Sequence, residues 1–387
     1  MTRFEDIAGR LGQQQIEVPS WAYGNSGTRF KVFGSPGTAR SVEEKIADAA
    51  QVHVHTGLAP SVALHIPWDR VEDYRKLRVF AEDHGVRLGT VNSNTFQDDA
   101  FKLGSLAHPD AAVRRKAVED NLACVDVMDE IGSRDLKIWL ADGTNYPGQD
   151  DMRSRQERLV EGLRTVYDRL GAHQRLILEY KFFEPAFYHT DVPDWGTSYV
   201  HCTMLGERAK VCLDTGHHAP GTNIEFIVVQ LLRLGKLGAF DFNSRFYADD
   251  DLMVGAADPF ELFRIMCEVV RGGGYEPDGE VAFMLDQCHN IEQKIPGQIR
   301  SVLTVQEMTA RALLVDQEAL AQAQAAGEVL AANQVVMDAF YTDVRDDLAD
   351  WRVQRGLPED PMAAYLASGY QQQIETDRVG GTQAGWS

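Results

Sequence analysis

Short apolar runs rich in β-branched and aromatic residues recur eight times along the chain, each closed by turn residues and followed by a segment of helical period. They span Ile16–Tyr23, Val62–Ile66, Arg87–Asn92, Leu136–Leu140, Leu176–Tyr180, Lys210–Asp214, Ala239–Asn243 and Val281–Asp286. Such alternation means parallel βα units. Several runs, among them LKIWL, LILEY and VAFML, lack polar alternation, as strands covered on both faces do. Eight of them with helices between close naturally into an α/β fold of the (β/α)8 TIM barrel type, here over residues 1–297. A doubly wound open sheet would give the same alternation, but the first βα turns carry no GxGxxG, which counts against a dinucleotide fold.

The connecting segments carry their own signals. Ser41-Val-Glu-Glu44 reads as a capping box, Thr222-Asn-Ile-Glu225 as a second, and Pro109 as a first-turn proline. Helical periods over Gln298–Asp316, Gln317–Leu348 and Pro361–Thr376 form a C-terminal helical extension, residues 298–387, expected to take part in subunit contacts and ending in a Gly-rich tail from Val379. Gly24–Arg40 reads as a long irregular Gly/Ser/Pro loop, which inside a compact domain is more often functional or disordered than a plain connector.

Charge narrows the partners. With 38 Lys+Arg against 58 Asp+Glu the net charge is −20, which opposes capture of nucleic acid or an anionic membrane surface. No apolar run approaches a membrane span, and the N-terminus is too polar for a secretory signal. Cys124, Cys202, Cys212, Cys267 and Cys288 are widely spaced and form no CxxC, so a reducing, cytoplasmic setting is expected rather than a disulfide framework or thiolate zinc site.

In a barrel, chemistry sits where the strands end. Those ends present His65, Asn92 with Asn94, Trp139 with Asp142, Glu179 with Lys181, Asp214 with His217, Asp241 with Asn243, and Asp286 with His289. One strand-end aspartate is ordinarily a helix cap, and Asp249-Asp-Asp251 alone would be a solvated acidic loop. Four carboxylates on four strands, Glu179, Asp214, Asp241 and Asp286, instead need a common cation or raised pKa values. Asp249, Asp251 and His217 would supply a second site sharing Asp214. A mostly oxygen set with one imidazole favours Mg²⁺, Mn²⁺ or Co²⁺ over structural Zn²⁺.

The runs SWAYGNSGTRFKVFGSPG, LHIPWD, NSNTFQDD, KIWLADGTNYPGQDD, LEYKFFEPAFYHTDVPDWG, CLDTGHHAPGTNIEFIV, FDFNSRFYADDDL and FMLDQCHN resemble the bacterial L-rhamnose isomerases related to xylose isomerase. The resemblance covers about Pro19 to His289 and extends to the C-terminal helices. It implies a homotetrameric aldose–ketose isomerase converting L-rhamnose to L-rhamnulose with two divalent ions, Mn²⁺ foremost. By matching motif, Glu179, Asp214, Asp241 and Asp286 fall on the first ion; His217, Asp249 and Asp251, with Asp214 bridging, fall on the second. His65 and Trp68 match the sugar-binding segment and Lys181 the lysine beside the reacting oxygens. Asp241 departs from rhamnose isomerases that carry His there, which bears on metal preference.

The mechanism this implies is a metal-assisted hydride shift between C1 and C2 of an uncharged sugar. Lys181 would stabilise charge on the carbonyl oxygen, and Asp286 or Asp249 would relay the hydroxyl proton. His65 is the candidate for protonating the ring oxygen or for binding the ring-closed sugar. Trp68 and Trp139 offer flat faces to sugar C–H groups, and Phe30 is a candidate for closing a neighbouring subunit's pocket. The rivals are a proton-transfer epimerase on the same barrel, with Glu179 and Asp286 as facing bases, and a non-catalytic sugar- or metal-binding protein. Phosphate-ester chemistry is disfavoured, since only Arg245 is a plausible anion partner near the last strands.

Overall fold

The computed structural model describes residues 3–28, 30–184, 188–249, 251–276 and 279–378. Eight parallel strands form one sheet in chain order: β1 Val18–Pro19, β2 Ser61–Ile66, β3 Arg87–Ser93, β4 Asp135–Ile138, β5 Arg175–Glu179, β6 Ala209–Asp214, β7 Leu237–Phe242 and β8 Ala282–Leu285. Glu17 closes the circle as a parallel bridge to Met284: its N–H donates to the Phe283 carbonyl at 2.8 Å, and its carbonyl accepts from Leu285 N at 2.9 Å. The expected (β/α)8 barrel with C-terminal helices is therefore the architecture observed.

The eight runs sit where expected, with edges moved. The first is the least regular. Only Val18–Pro19 is strand, and Ser20–Tyr23 turns into a 3₁₀ helix, because Pro19 has no N–H to continue the ladder. The main core lies between the outer strand faces and the helices, with Leu64, Leu136, Leu176, Leu178, Leu213 and Phe240 fully buried. Truncating one of these, such as Leu178→Ala, should cost about 2–5 kcal/mol. Alternate residues face inward, where Ile177, Cys212 and Ala239 pack as a separate plug. Two positions further along the same strands stand Glu179, Asp214 and Asp241, so strand geometry alone gathers the carboxylates above the plug.

Three local readings need correction. Ser41 caps helix Val42–Thr56 by accepting from Glu44 N, but Glu44 accepts from Arg40 N instead of reciprocating to Ser41. Asn223, not Thr222, caps helix Ile224–Arg233. Pro109 stands ahead of the Asp110 cap, outside helix Ala111–Ile131.

The Gly24–Arg40 segment, read as irregular, contains an antiparallel hairpin pairing Ser26–Thr28 with Lys31–Phe33. Gly27 is needed there, since a Cβ would fall 1.9 Å from the Lys31 carbonyl oxygen. The helical extension begins earlier than expected, at Lys294, and Gln317–Leu348 is broken into shorter helices, Gln317–Ala325, Val329–Tyr341 and Arg345–Val353. It packs on its own barrel: Trp351 Nε1 donates to the Ala8 carbonyl, and Arg378 donates to the Gly37 carbonyl and both oxygens of Asp48. The Gly-rich tail lies outside the described residues. Among those described, no helix is long and apolar enough to cross a membrane.

Candidate active site

A cavity of about 550 Å³ opens at the C-terminal ends of the strands. His65, Trp68, Trp139, Glu179, Lys181, His217, Asp241, Asp249, Asp251 and Asp286 all line it, with Asp214 buried beneath. Glu179, Asp214, Asp241 and Asp286 offer oxygens within 4.8 Å of one another, and Glu179, Asp214 and His217 form a second such group.

Each is held in place by its neighbours. Asp214 accepts from Gly216 N at 2.6 Å and from Asn243 Nδ2 at 3.0 and 3.2 Å, which gives Asn243 its part in the site. His217 Nδ1 faces the Tyr180 carbonyl at 2.9 Å; a carbonyl only accepts, so Nδ1 carries a proton, and Nε2 is turned toward Asp249 Oδ2 at 3.5 Å. Despite burial, Asp214 and Asp249 lift His217 well above the usual imidazole range, so with no ion bound it is cationic. Lys181 Nζ lies 2.6 Å from the same Asp249 oxygen. The Asp249–Asp251 loop is pinned by paired 3.0 Å hydrogen bonds between Ser244 and Leu252, and Asp251 takes a left-handed φ of 45°. Trp21 Nε1 donates to Asp286 Oδ1 at 2.9 Å.

Crowding of buried negative charge shifts the titrations. Burial, with Glu179, Asp249 and Asp241 nearby and only His217 opposing, pushes Asp214 up to about 7. Burial raises Asp241 to about 6 despite Lys137, and lifts Asp251 and Asp286 well above the usual carboxylate range. Asp249 goes the other way: burial would raise it, but His217 and Lys181 outweigh burial and hold it ionised.

These residues fit a divalent cation. Oxygen donors with one imidazole suit Mn²⁺, Co²⁺ or Mg²⁺, His217 has the second-nitrogen hydrogen bond typical of a ligating histidine, and Asp249 Oδ1 is buried with no hydrogen-bond partner among the described residues. Cys212 lies close to Glu179 and Asp241 but packs in the apolar plug with Ile177 and Ala239, and with no ion bound burial drives its pKa well up.

One wall is aromatic. His65 stacks on Trp68 with ring centroids 3.8 Å apart and meets Trp21 and Phe96 edge-on; Phe96 in turn packs against Trp139. The His65 backbone is fixed by Asp69, which accepts from His65 N and from Lys45 Nζ. Burial, with Lys45 and Lys137 adding to it, pulls His65 down to about 3. With no ligand bound this favours the neutral imidazole, which suits binding the sugar better than protonating its ring oxygen.

Other strand-end residues do structural work. Asn92 lines the cavity, whereas Asn94 organises its own turn by accepting from Phe96 N and Gln97 N. Asp142 accepts from Ser105 and Ala107, and His289 stands outside the cavity facing Glu292. Arg245 pairs with Glu261 and the Thr215 carbonyl. Phe30, 82% exposed at the hairpin turn, does not line this chain's own cavity.

The sequence reading missed Lys137, Trp21, Phe96 and Glu184, all of which line the cavity. Lys137 had a signal: a charged residue inside LKIWL, two positions before Trp139 and so on the same strand face.

Residues 47–268 match the family described as xylose isomerase-like TIM barrel. The chain is 40% identical over 382 residues to a "probable sugar isomerase" of Rhizobium meliloti, covering 96% of this chain and 88% of that protein. It is 26% identical over 228 residues to the xylose isomerase of Thermus thermophilus, covering 54% and 56% of the two chains. Among solved structures it resembles an L-ribulose 3-epimerase at 13% identity and a TM-score of 0.59, over 78% of this chain and 98% of that one.

Proposed function

The chain belongs to the xylose isomerase-like TIM-barrel family, and we propose that within it this protein is a divalent-metal aldose–ketose isomerase that converts L-rhamnose to L-rhamnulose. The observation that carries the reaction class is one cavity holding both parts of the chemistry. The Glu179–Asp214–His217 group lies beside Lys181, which is held over Asp249 and 5.1 Å from the Trp139 ring. The substrate assignment rests on the motif resemblance. The same resemblance supports Mn²⁺, a homotetramer and a cytoplasmic setting as parts of the proposal.

When bound, a divalent ion supplies Lewis-acid polarisation of the oxygens on C1 and C2. The rest falls to the chain. His65, neutral and stacked on Trp68, receives or donates one hydrogen bond at the ring oxygen, while Trp68, Phe96 and Trp139 cover the sugar's C–H faces and exclude water. Lys181 donates to the carbonyl oxygen as negative charge grows there. Asp249 or Asp286 takes the hydroxyl proton and returns it to the former carbonyl oxygen. Asp249 is ionised but held by Lys181 and His217, which weakens it as a base, whereas burial and the neighbouring carboxylates leave Asp286 the more basic of the two. Hydrogen then passes between C2 and C1 without meeting solvent.

An epimerase would need two free carboxylates on opposite sides of one carbon, and the pair available for that, Glu179 and Asp286, belongs to the ion-sized group with Asp214 and Asp241. The separating experiment is turnover of L-rhamnose deuterated at C2. Retention of the label in the ketose supports the hydride shift, and wash-out into water rejects it. A panel of other aldoses under the same conditions tests the substrate: another sugar preferred by a hundredfold or more would replace L-rhamnose.

A further inference from the structure

Lys137 is buried inside the barrel on β4, 3% exposed, and its ammonium donates to both oxygens of Asp241 on β7, at 2.5 Å to Oδ2. Its only other close partner among the described residues is the Met284 sulfur at 3.8 Å. Asp241 is also a member of the ion-sized group with Glu179, Asp214 and Asp286. Two cations therefore have a claim on one carboxylate.

The lysine has the stronger claim. It is covalently fixed beside Asp241, and displacing it would leave an unpaired ammonium in the barrel interior, the most costly kind of buried group. It has nowhere to retreat, since β4 and β7 fix both ends of the pair and Ile177, Cys212 and Ala239 fill the barrel one layer below. A lysine–aspartate pair carries no net charge, so toward a nearby divalent ion it acts as a neutral group with a positive end.

We infer that Lys137 and Asp241 work as one neutral unit, which takes Asp241 out of the ligand set and leaves a divalent ion at this position to Glu179, Asp214 and Asp286. Lys137 is thus a positioning residue that weakens and sets the ion affinity of the site. This departs from the expectation of Asp241 as a fourth ligand, and it rests on the reading of the cavity as a divalent-metal site.

The test is Mn²⁺ binding to the metal-stripped full-length chain, by titration calorimetry with metal content after dialysis, and thermal melting as a check on folding. Lys137→Met frees Asp241 and removes a like charge, so Mn²⁺ should bind about tenfold or more tightly than to the parent. The double variant Lys137→Met/Asp241→Asn removes the pair as a unit, leaves no unpaired buried charge, and should bind Mn²⁺ within about tenfold of the parent. A larger loss in the double variant, or a folded single variant that binds no more tightly than the parent, overturns the inference. If the single variant does not fold, the double variant decides. A parent chain that takes up no divalent ion would remove the metal reading itself, whereas Mn²⁺ uptake by the parent with a larger loss in the double variant removes only this inference.

Discussion

Lys181 Nζ and Asp249 Oδ2 meet at 2.6 Å across the barrel mouth, joining the end of β5 to the loop after β7. Each fixes the other's charge: the carboxylate keeps the lysine protonated, and the lysine, with His217, keeps Asp249 ionised. Lys181→Ala should therefore retain metal yet lose kcat by about 10²-fold or more, as when one charge-stabilising donor is removed. Asp249 without its lysine titrates higher, so the acid limb of the pH–rate profile moves to higher pH. Asp214→Asn should instead lose the metal. Metal analysis beside kcat distinguishes the two, and equal metal content in both variants would place Asp214 outside the ligand set.

The crowded carboxylates make the metal-free chain sensitive to pH in a defined direction. Asp214 at about 7 and Asp241 at about 6 lie above their unfolded values. Their contribution to stability is thus fully present below about pH 4, the ordinary carboxyl range, and is lost progressively as pH rises to and through about 6 and 7. After EDTA treatment the melting temperature should be higher at pH 5.5 than at pH 8. Adding Mn²⁺ at pH 6 should raise it and release protons, seen as a buffer-dependent heat in calorimetry. A metal-free chain that melts at the same temperature across this range contradicts the site as drawn.

His65 is held neutral by burial and by Lys45 and Lys137. His65→Gln, which keeps a hydrogen-bonding group, should raise KM and lower kcat/KM about 10- to 100-fold while leaving the limbs of the pH–rate profile in place. Disappearance of a limb in that variant would make His65 the titrating acid after all.

Phe30 stands 82% exposed at the turn of the Ser26–Phe33 hairpin. If the turn reaches a neighbouring subunit's cavity, Phe30→Ala should raise KM several-fold without changing the melting temperature of the isolated subunit. A monomeric preparation with full activity and an unchanged KM would show that the ring serves its own chain only.

The barrel was legible because parallel strands covered on both faces leave near-continuous apolar runs, and because period-two geometry sends Glu179, Asp214 and Asp241 to one side. The edges were less legible: the Ile16–Tyr23 run looks uniformly apolar, yet Pro19 ends the ladder after two residues. Thr222 was read as a cap because Thr and Asn are nearly equivalent there, and only the Asn223 side chain reaches Phe226 N. Lys137 went unread because its function is relational. Its place inside LKIWL marks it as a charge on an inward strand face, but what it does there shows only when Asp241, 104 positions away, is known to face it.

The seam at Glu17 sets an order of events during synthesis. The hydrogen bonds that close the barrel join residue 17 to residues 283 and 285, so the first strand to leave the ribosome has to wait for the last before it has both its neighbours. Until then β1 and the most recently made strand are the open edges of a curling parallel sheet, the kind of non-local pairing that slows folding and exposes a chain to aggregation. A two-residue strand followed at once by a 3₁₀ turn offers a stray partner little ladder to extend, and the early edge is thereby kept quiet while the rest of the barrel is made.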